Sequence, residues 1–133
     1  MGATRIILVD DAVSESEWER ELYTLSVPPG LQVDFASVAE AAAQMAEWMD
    51  RAERTIVLVG NVETIVDLCT STDRIKEVNI GGLHDATDRT QRLPYVYLSD
   101  DEAARLRALG ENGIQVTAQD VPTARAVGVA DFT

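Results

Sequence analysis

Short apolar runs alternate with stretches of helical periodicity along this chain. Residues 4–9, 32–36, 55–59, 76–80, 95–98 and 114–118 read as six strands. The run at 55–59, Thr-Ile-Val-Leu-Val, is almost wholly β-branched and stops at Gly60-Asn61. Between the runs lie helices with readable starts. Ser14 or Ser16 can cap a helix carrying Trp18, Leu22 and Leu25, whose spacing puts them on one face, and Pro28-Pro29-Gly30 ends that unit. Ser37 and Glu40 fit a capping box that opens a helix to about residue 51, with Ala41, Met45, Trp48 and Met49 inward. Asn61 can cap a helix bearing Ile65, Val66, Leu68 and Cys69. Ser99 and Glu102 form a second capping box, ahead of Leu106 and Leu109 on the inner face and Gly110 near the stop. Residues 122–133 have little periodicity and read as a loosely docked or swapped tail.

Apolar runs joined by amphipathic helices predict an α/β fold: a doubly wound, mostly parallel sheet with helices on both faces, in one domain over residues 1–133. Ligands of such sheets bind at the carboxyl ends of the strands. The groups placed there are Asp10-Asp11, Gly60-Asn61, Gly81-Gly82-Leu83-His84 and Gln119-Asp120.

Charge narrows the function. A formal net charge of −12 and a pI near 4.3 oppose binding to nucleic acid or to an acidic membrane surface. They suit a well-solvated surface, or a partner with a basic docking face. No apolar run approaches the ~20 residues of a membrane span, so direct membrane insertion is not expected. The single cysteine, Cys69, excludes an internal disulfide and reads as a packed core thiol. A cytoplasmic protein is the expectation.

Chemistry is constrained by the single histidine, His84. Asp10-Asp11 after the first strand invites comparison with a phosphoacceptor receiver domain. That chemistry also needs an aspartate after the third strand and a late lysine; Gly60-Asn61 stands at the first place and no lysine follows Lys76. The acidic pair therefore reads as a turn with an Asx-type bond. No Gly-x-Gly-x-x-Gly follows a strand, no His/Cys/carboxylate cluster has ligand spacing, and no Gly-x-Ser-x-Gly turn is present. No cofactor and no metal are expected. A small-molecule enzyme at the strand tips lacks a supporting acid/base pair.

One long pattern is more specific. Asn79-Ile80-Gly81-Gly82-Leu83-His84, then Arg89-Thr90-Gln91, then Tyr95-Val96-Tyr97-Leu98-Ser99-Asp100-Asp101-Glu102 resembles the mannose/sorbose-type IIB component of the bacterial phosphoenolpyruvate-dependent sugar phosphotransferase system. Arg5-Ile6-Ile7-Leu8-Val9-Asp10-Asp11, Pro28-Pro29-Gly30-Leu31-Gln32-Val33, Val57-Leu58-Val59-Gly60-Asn61 and the stretch from Gly113 to Pro122 continue the likeness in order, over about residues 4 to 122. The resemblance implies a phosphocarrier: a histidine takes a phosphoryl group from a phosphorylated IIA partner and passes it to a sugar held by the membrane IIC/IID permease. It also implies a departure. The family's acceptor histidine lies in an Asp-x-Arg-x-x-His-Gly-Gln-Val loop after its first, central strand, and that loop does not occur in these residues. His84 stands on a different loop, which in the family lines the site.

Three expectations follow. The domain is inactive in phosphoryl transfer as it stands, with a non-catalytic regulatory or assembly module binding a IIA-like partner as the alternative. The phosphate- or partner-binding candidates are Asp10, Asp11, Asn61, Gly81, Gly82, His84 and Arg89, the last four as an anion-binding rim of backbone N–H groups, imidazole and guanidinium. Without the family's first strand, two apolar strand edges stand open. Either 55–59 pairs directly with 76–80, or a strand from another chain fills the gap, which leaves room for homo-oligomers through the exposed edges.

Overall fold

The apolar runs become parallel strands. A computed structural model of the chain describes residues 4–50 and 55–133, in two compact units that meet in the sequence between Arg74 and Ile75. The first unit contains β1 (Arg5–Val9), α1 (Asp11–Glu15), α2 (Glu17–Leu25), β2 (Gln32–Ala36), α3 (Val38–Asp50), β3 (Thr55–Val59) and α4 (Val62–Ser71). Its sheet runs β2-β1-β3, all parallel, with Ile7 in register with Asp34 and Val57. Side chains alternate between the faces of a strand, and the two faces differ in cover. Ile7, Val9 and Ala36 are buried, as are Ala41, Met45 and Trp48 of α3 and Val62, Ile65 and Leu68 of α4. On the other face Ile6, Leu8 and Phe35 are half-buried, whereas Ile56 and Leu58 remain 41% and 46% exposed.

Trp18, Leu22 and Leu25 lie in α2 with the spacing of one stripe, and α2 buries none of its residues. Its contact with the sheet runs through Tyr23, whose ring lies 6.4 Å from that of Phe35. Met49 was expected inward and is exposed. It sits at the margin of the stripe centred on Ala41, Met45 and Trp48, in the last turn of α3. The expected end of that helix near residue 51 falls outside the described residues.

The second unit contains β4 (Glu77–Ile80), β5 (Thr90–Leu93), β6 (Val96–Leu98), α5 (Asp100–Glu111), β7 (Gln115–Ala118), β8 (Val127–Gly128) and a 3₁₀ turn at Val129–Asp131. β4 and β7 are parallel, and β8 adds to β7 antiparallel. β5 and β6 form an antiparallel hairpin. The loose tail is corrected: β8 is hydrogen-bonded into the sheet and Phe132 is buried. β5 was not expected, because Thr90-Gln91-Arg92-Leu93 carries no apolar alternation. α5 packs Ala103, Leu106 and Leu109 into the core with Val78, Ile80, Val96, Leu98, Val116 and Ala118. It runs one residue past Gly110, and the left-handed position that follows it is Gly113, at φ +92°.

Among the described strands, β3 pairs with β1 alone and β4 with β7 alone. Within its own unit, each has a strand partner on one side only among the described residues.

Candidate functional site

At the carboxyl ends of β1, β2 and β3, the polar side chains are spent on helix starts. Asp10 accepts the Val13 N–H at 3.0 Å and so caps α1, a local use close to the expected Asx turn. Asp11 accepts the Val38 N–H at 2.8 Å, tying the tip of β1 to the first turn of α3. Asn61 accepts the Thr64 N–H at 2.8 Å and caps α4 as its position predicted. Ser37 and Glu40 complete the reciprocal box at the start of α3, at 3.1 Å each way. Three helix N-termini thus open at one end of this sheet, but Asp11, Glu40 and Glu63 in their first turns already answer the positive dipole ends. An added anion would meet carboxylates there.

The second unit holds the glycine pair and the histidine. Gly81 and Gly82 follow β4 directly, both exposed, and no backbone acceptor among the described residues engages their N–H groups. A Cβ at Gly82 would sit 3.4 Å from the Tyr95 carbonyl oxygen, so this backbone runs close under the hairpin. Leu83 is anchored: its N–H donates to Tyr95 O at 3.0 Å, and Tyr97 N–H donates to Leu83 O at 3.1 Å, a parallel bridge to Val96. His84 is exposed, beside the equally exposed Asp85, and Asp88 follows three residues after Asp85 on the same loop.

Arg89 is placed differently from the expected rim. Its Nε and Nη2 donate to Glu102 Oε1 and Oε2, each at 2.9 Å, and its Nη1 donates to the carbonyl oxygen of His84 at 2.9 Å. Both side chains of the pair are only about a fifth exposed. The bidentate bond from Arg89 holds the Glu102 carboxyl below the ordinary carboxylate range, and Glu102 in turn raises the guanidinium above its ordinary value. Glu102 serves two structures at once, since its Oε1 also accepts the Ser99 N–H at 2.9 Å in the capping box of α5. Glu102 is the residue that reading the sequence as local motifs did not connect to this loop. Its capping role is signalled by spacing, whereas its partner lies 13 residues away across the hairpin.

Cys69 is half-buried, at the margin of the core and not within it as expected, and burial pushes its thiol up to about 11. No group of three or more His, Cys, Asp or Glu side chains among the described residues could hold a metal ion.

The family profile described as "PTS system sorbose subfamily IIB component" matches residues 1–133. The chain belongs to the sorbose-type IIB family of the sugar phosphotransferase system. This IIB chain is 29% identical over 122 residues to the sorbose-specific EIIB component of Lacticaseibacillus casei, covering 92% of this chain and 74% of that one. It is 26% identical to the mannose-specific EIIAB component of Escherichia coli K12, covering 92% of this chain and 38% of that longer one. Its fold superposes on the crystal structure of the IIBSor domain of the sorbose permease from Klebsiella pneumoniae with a TM-score of 0.84 and 26% identity. That match covers 97% of this chain and 79% of that one. The IIB family, its mixed α/β fold with parallel strands and helices, and a place in sugar phosphotransfer are thereby established. Among the described residues, no helix of this IIB chain is long and apolar enough to cross a membrane.

Proposed function

We propose that this IIB chain works in the cytoplasm between a IIA-type phosphocarrier and a membrane IIC/IID sugar permease, and that its 133 residues do not themselves accept the phosphoryl group. The relative in which a IIA and a IIB component share one name, the mannose-specific EIIAB component, supports the first partner. The observation that carries the second part is the surrounding of the only imidazole. A phosphoacceptor histidine needs free cations facing the phosphoryl in flight. His84 instead shares its loop with Asp85 and Asp88, and the loop's arginine is bonded to Glu102. The family's Asp-x-Arg-x-x-His motif does not occur in these residues.

The loop retains part of an anion-binding rim. The free N–H groups of Gly81 and Gly82 and the exposed imidazole of His84 can together meet a phosphoryl group carried by another histidine. Asp10, Asp11 and Asn61 are structural caps in this reading and contribute through the surface they shape. The open edges of β3 and β4 support homo-oligomers formed through strand edges. The test is to offer a phosphorylated IIA-type protein. Binding without transfer supports the reading and favours the non-catalytic module. Stable phosphate on His84 overturns it.

A further inference from the structure

The loop at residues 81–89 has almost no core of its own, since only Leu83 and Arg89 are even half-buried. It nevertheless has two firm ties. The first is the Leu83–Val96 bridge. The second is Arg89, whose three nitrogens meet three acceptors: both oxygens of Glu102 and the backbone carbonyl of His84. Glu102 cannot swing away easily, because Ser99 holds it from both sides, donating its N–H to Oε1 at 2.9 Å and accepting the Glu102 N–H on Oγ at 3.0 Å. The Arg89 N–H, meanwhile, closes a turn on Ala86 O at 3.0 Å. The carbonyl of His84 is therefore tied, through one guanidinium, to the first turn of α5.

We infer that Arg89 is a positioning residue, which with Glu102 fixes the backbone of the His84 loop so that the Gly81 and Gly82 N–H groups and the imidazole face outward together. It is not itself an anion ligand. This rests on the anion-binding reading of the loop given above, but it assigns Arg89 the opposite role within it. The geometry demands arginine. A planar fork satisfies two carboxylate oxygens and a third acceptor at once, whereas a lysine ammonium on a flexible stem cannot hold all three in the same plane. Glutamine at 102 keeps the shape of glutamate, yet it turns an amide N–H₂ toward the guanidinium.

The two roles predict opposite behaviour. If Arg89 binds the anion, E102Q frees the guanidinium and tightens phosphate binding, and R89K is well tolerated. If Arg89 positions the loop, R89K, R89Q and E102Q all loosen it. Amide hydrogen exchange by NMR separates these. For a partly exposed ion pair, protection at Leu83, Arg89 and Tyr97 should fall about two- to fivefold in each variant, while Leu106 inside α5 stays unchanged as the fold control. Titration with inorganic phosphate, followed at the Gly81 and Gly82 amides, gives the second readout, and binding should weaken in all three variants. Unchanged exchange in R89Q and R89K, or tighter phosphate binding in E102Q, overturns the positioning role. If phosphate moves no resonance in the unmodified protein while exchange still responds to R89K, the anion-binding reading falls and the positioning role stands.

Discussion

Substituting Leu58 with lysine probes the open edge of β3. In the parallel sheet of the first unit, Ile56 and Leu58 project to the less covered face, with 41% and 46% of their surfaces still in water. Fully burying such a side chain is worth about 1.5–3 kcal/mol. Covering what remains of the two therefore releases about 1–3 kcal/mol per chain, and roughly twice that across a two-fold interface. A few edge hydrogen bonds add about 0.5–1.5 kcal/mol each. The opposing terms are the loss of free motion on association, about 4–15 kcal/mol, and repulsion between chains that each carry a net charge of −12. The favourable and opposing terms are of similar size, so self-association is weak and is strengthened by salt that screens the repulsion. Sedimentation velocity across protein concentration, at low and high ionic strength, reads this directly. Leu58→Lys puts a charge on the exposed face of the edge strand and should abolish the association at every salt concentration, with little effect on the fold, since the residue is already half in water. A wild-type monomer at the highest concentration and salt would refute the edge argument. So would a Leu58→Lys variant that associates as the wild type does.

Two further predictions test electrostatics and burial. The Glu102 carboxyl lies below its unfolded value of about 4.3 because of Arg89, so it adds stability above that pH and loses the contribution as pH falls through its lower folded value. Urea midpoints between pH 6 and pH 3 should therefore drop more steeply in the wild type than in Glu102→Gln. Parallel curves would show that the pair contributes nothing. The Cys69 thiol, pushed up to about 11 by burial, should react with iodoacetamide near neutral pH on the order of a hundredfold more slowly than an ordinary thiol of about 8.5. Unfolding in urea should restore the ordinary rate, and fast alkylation of the native protein would contradict its placement.

Much of this architecture was legible because its determinants are local. The capping boxes Ser37–Glu40 and Ser99–Glu102 and the Asn61 cap are written within four residues, and the structure forms all three. The apolar runs marked the strands to within a residue or two of their ends. What escaped depends on distance or on missing cover. β5 is made of polar residues held by their pairing to β6, and the tail is held by β7 and by burial of Phe132. α1 is a single short turn started by Asp10. The α2 stripe shows that periodicity names a face without saying whether anything packs on it. At the site, Gly81, Gly82 and His84 could be pointed to from the sequence. The engagement of Arg89 could not, because an ion pair between positions 89 and 102 exists only once the hairpin has folded.

The most direct measurement is phosphoryl transfer itself. The chain is incubated with a phosphorylated IIA-type protein from a sorbose- or mannose-type system, and the polypeptide is then assayed for phosphate that survives base and is lost in acid, alongside His84→Gln. The prediction is a IIA complex with no phosphate on this chain, identical in wild type and variant. Base-stable phosphate on the wild type that disappears in His84→Gln would contradict it.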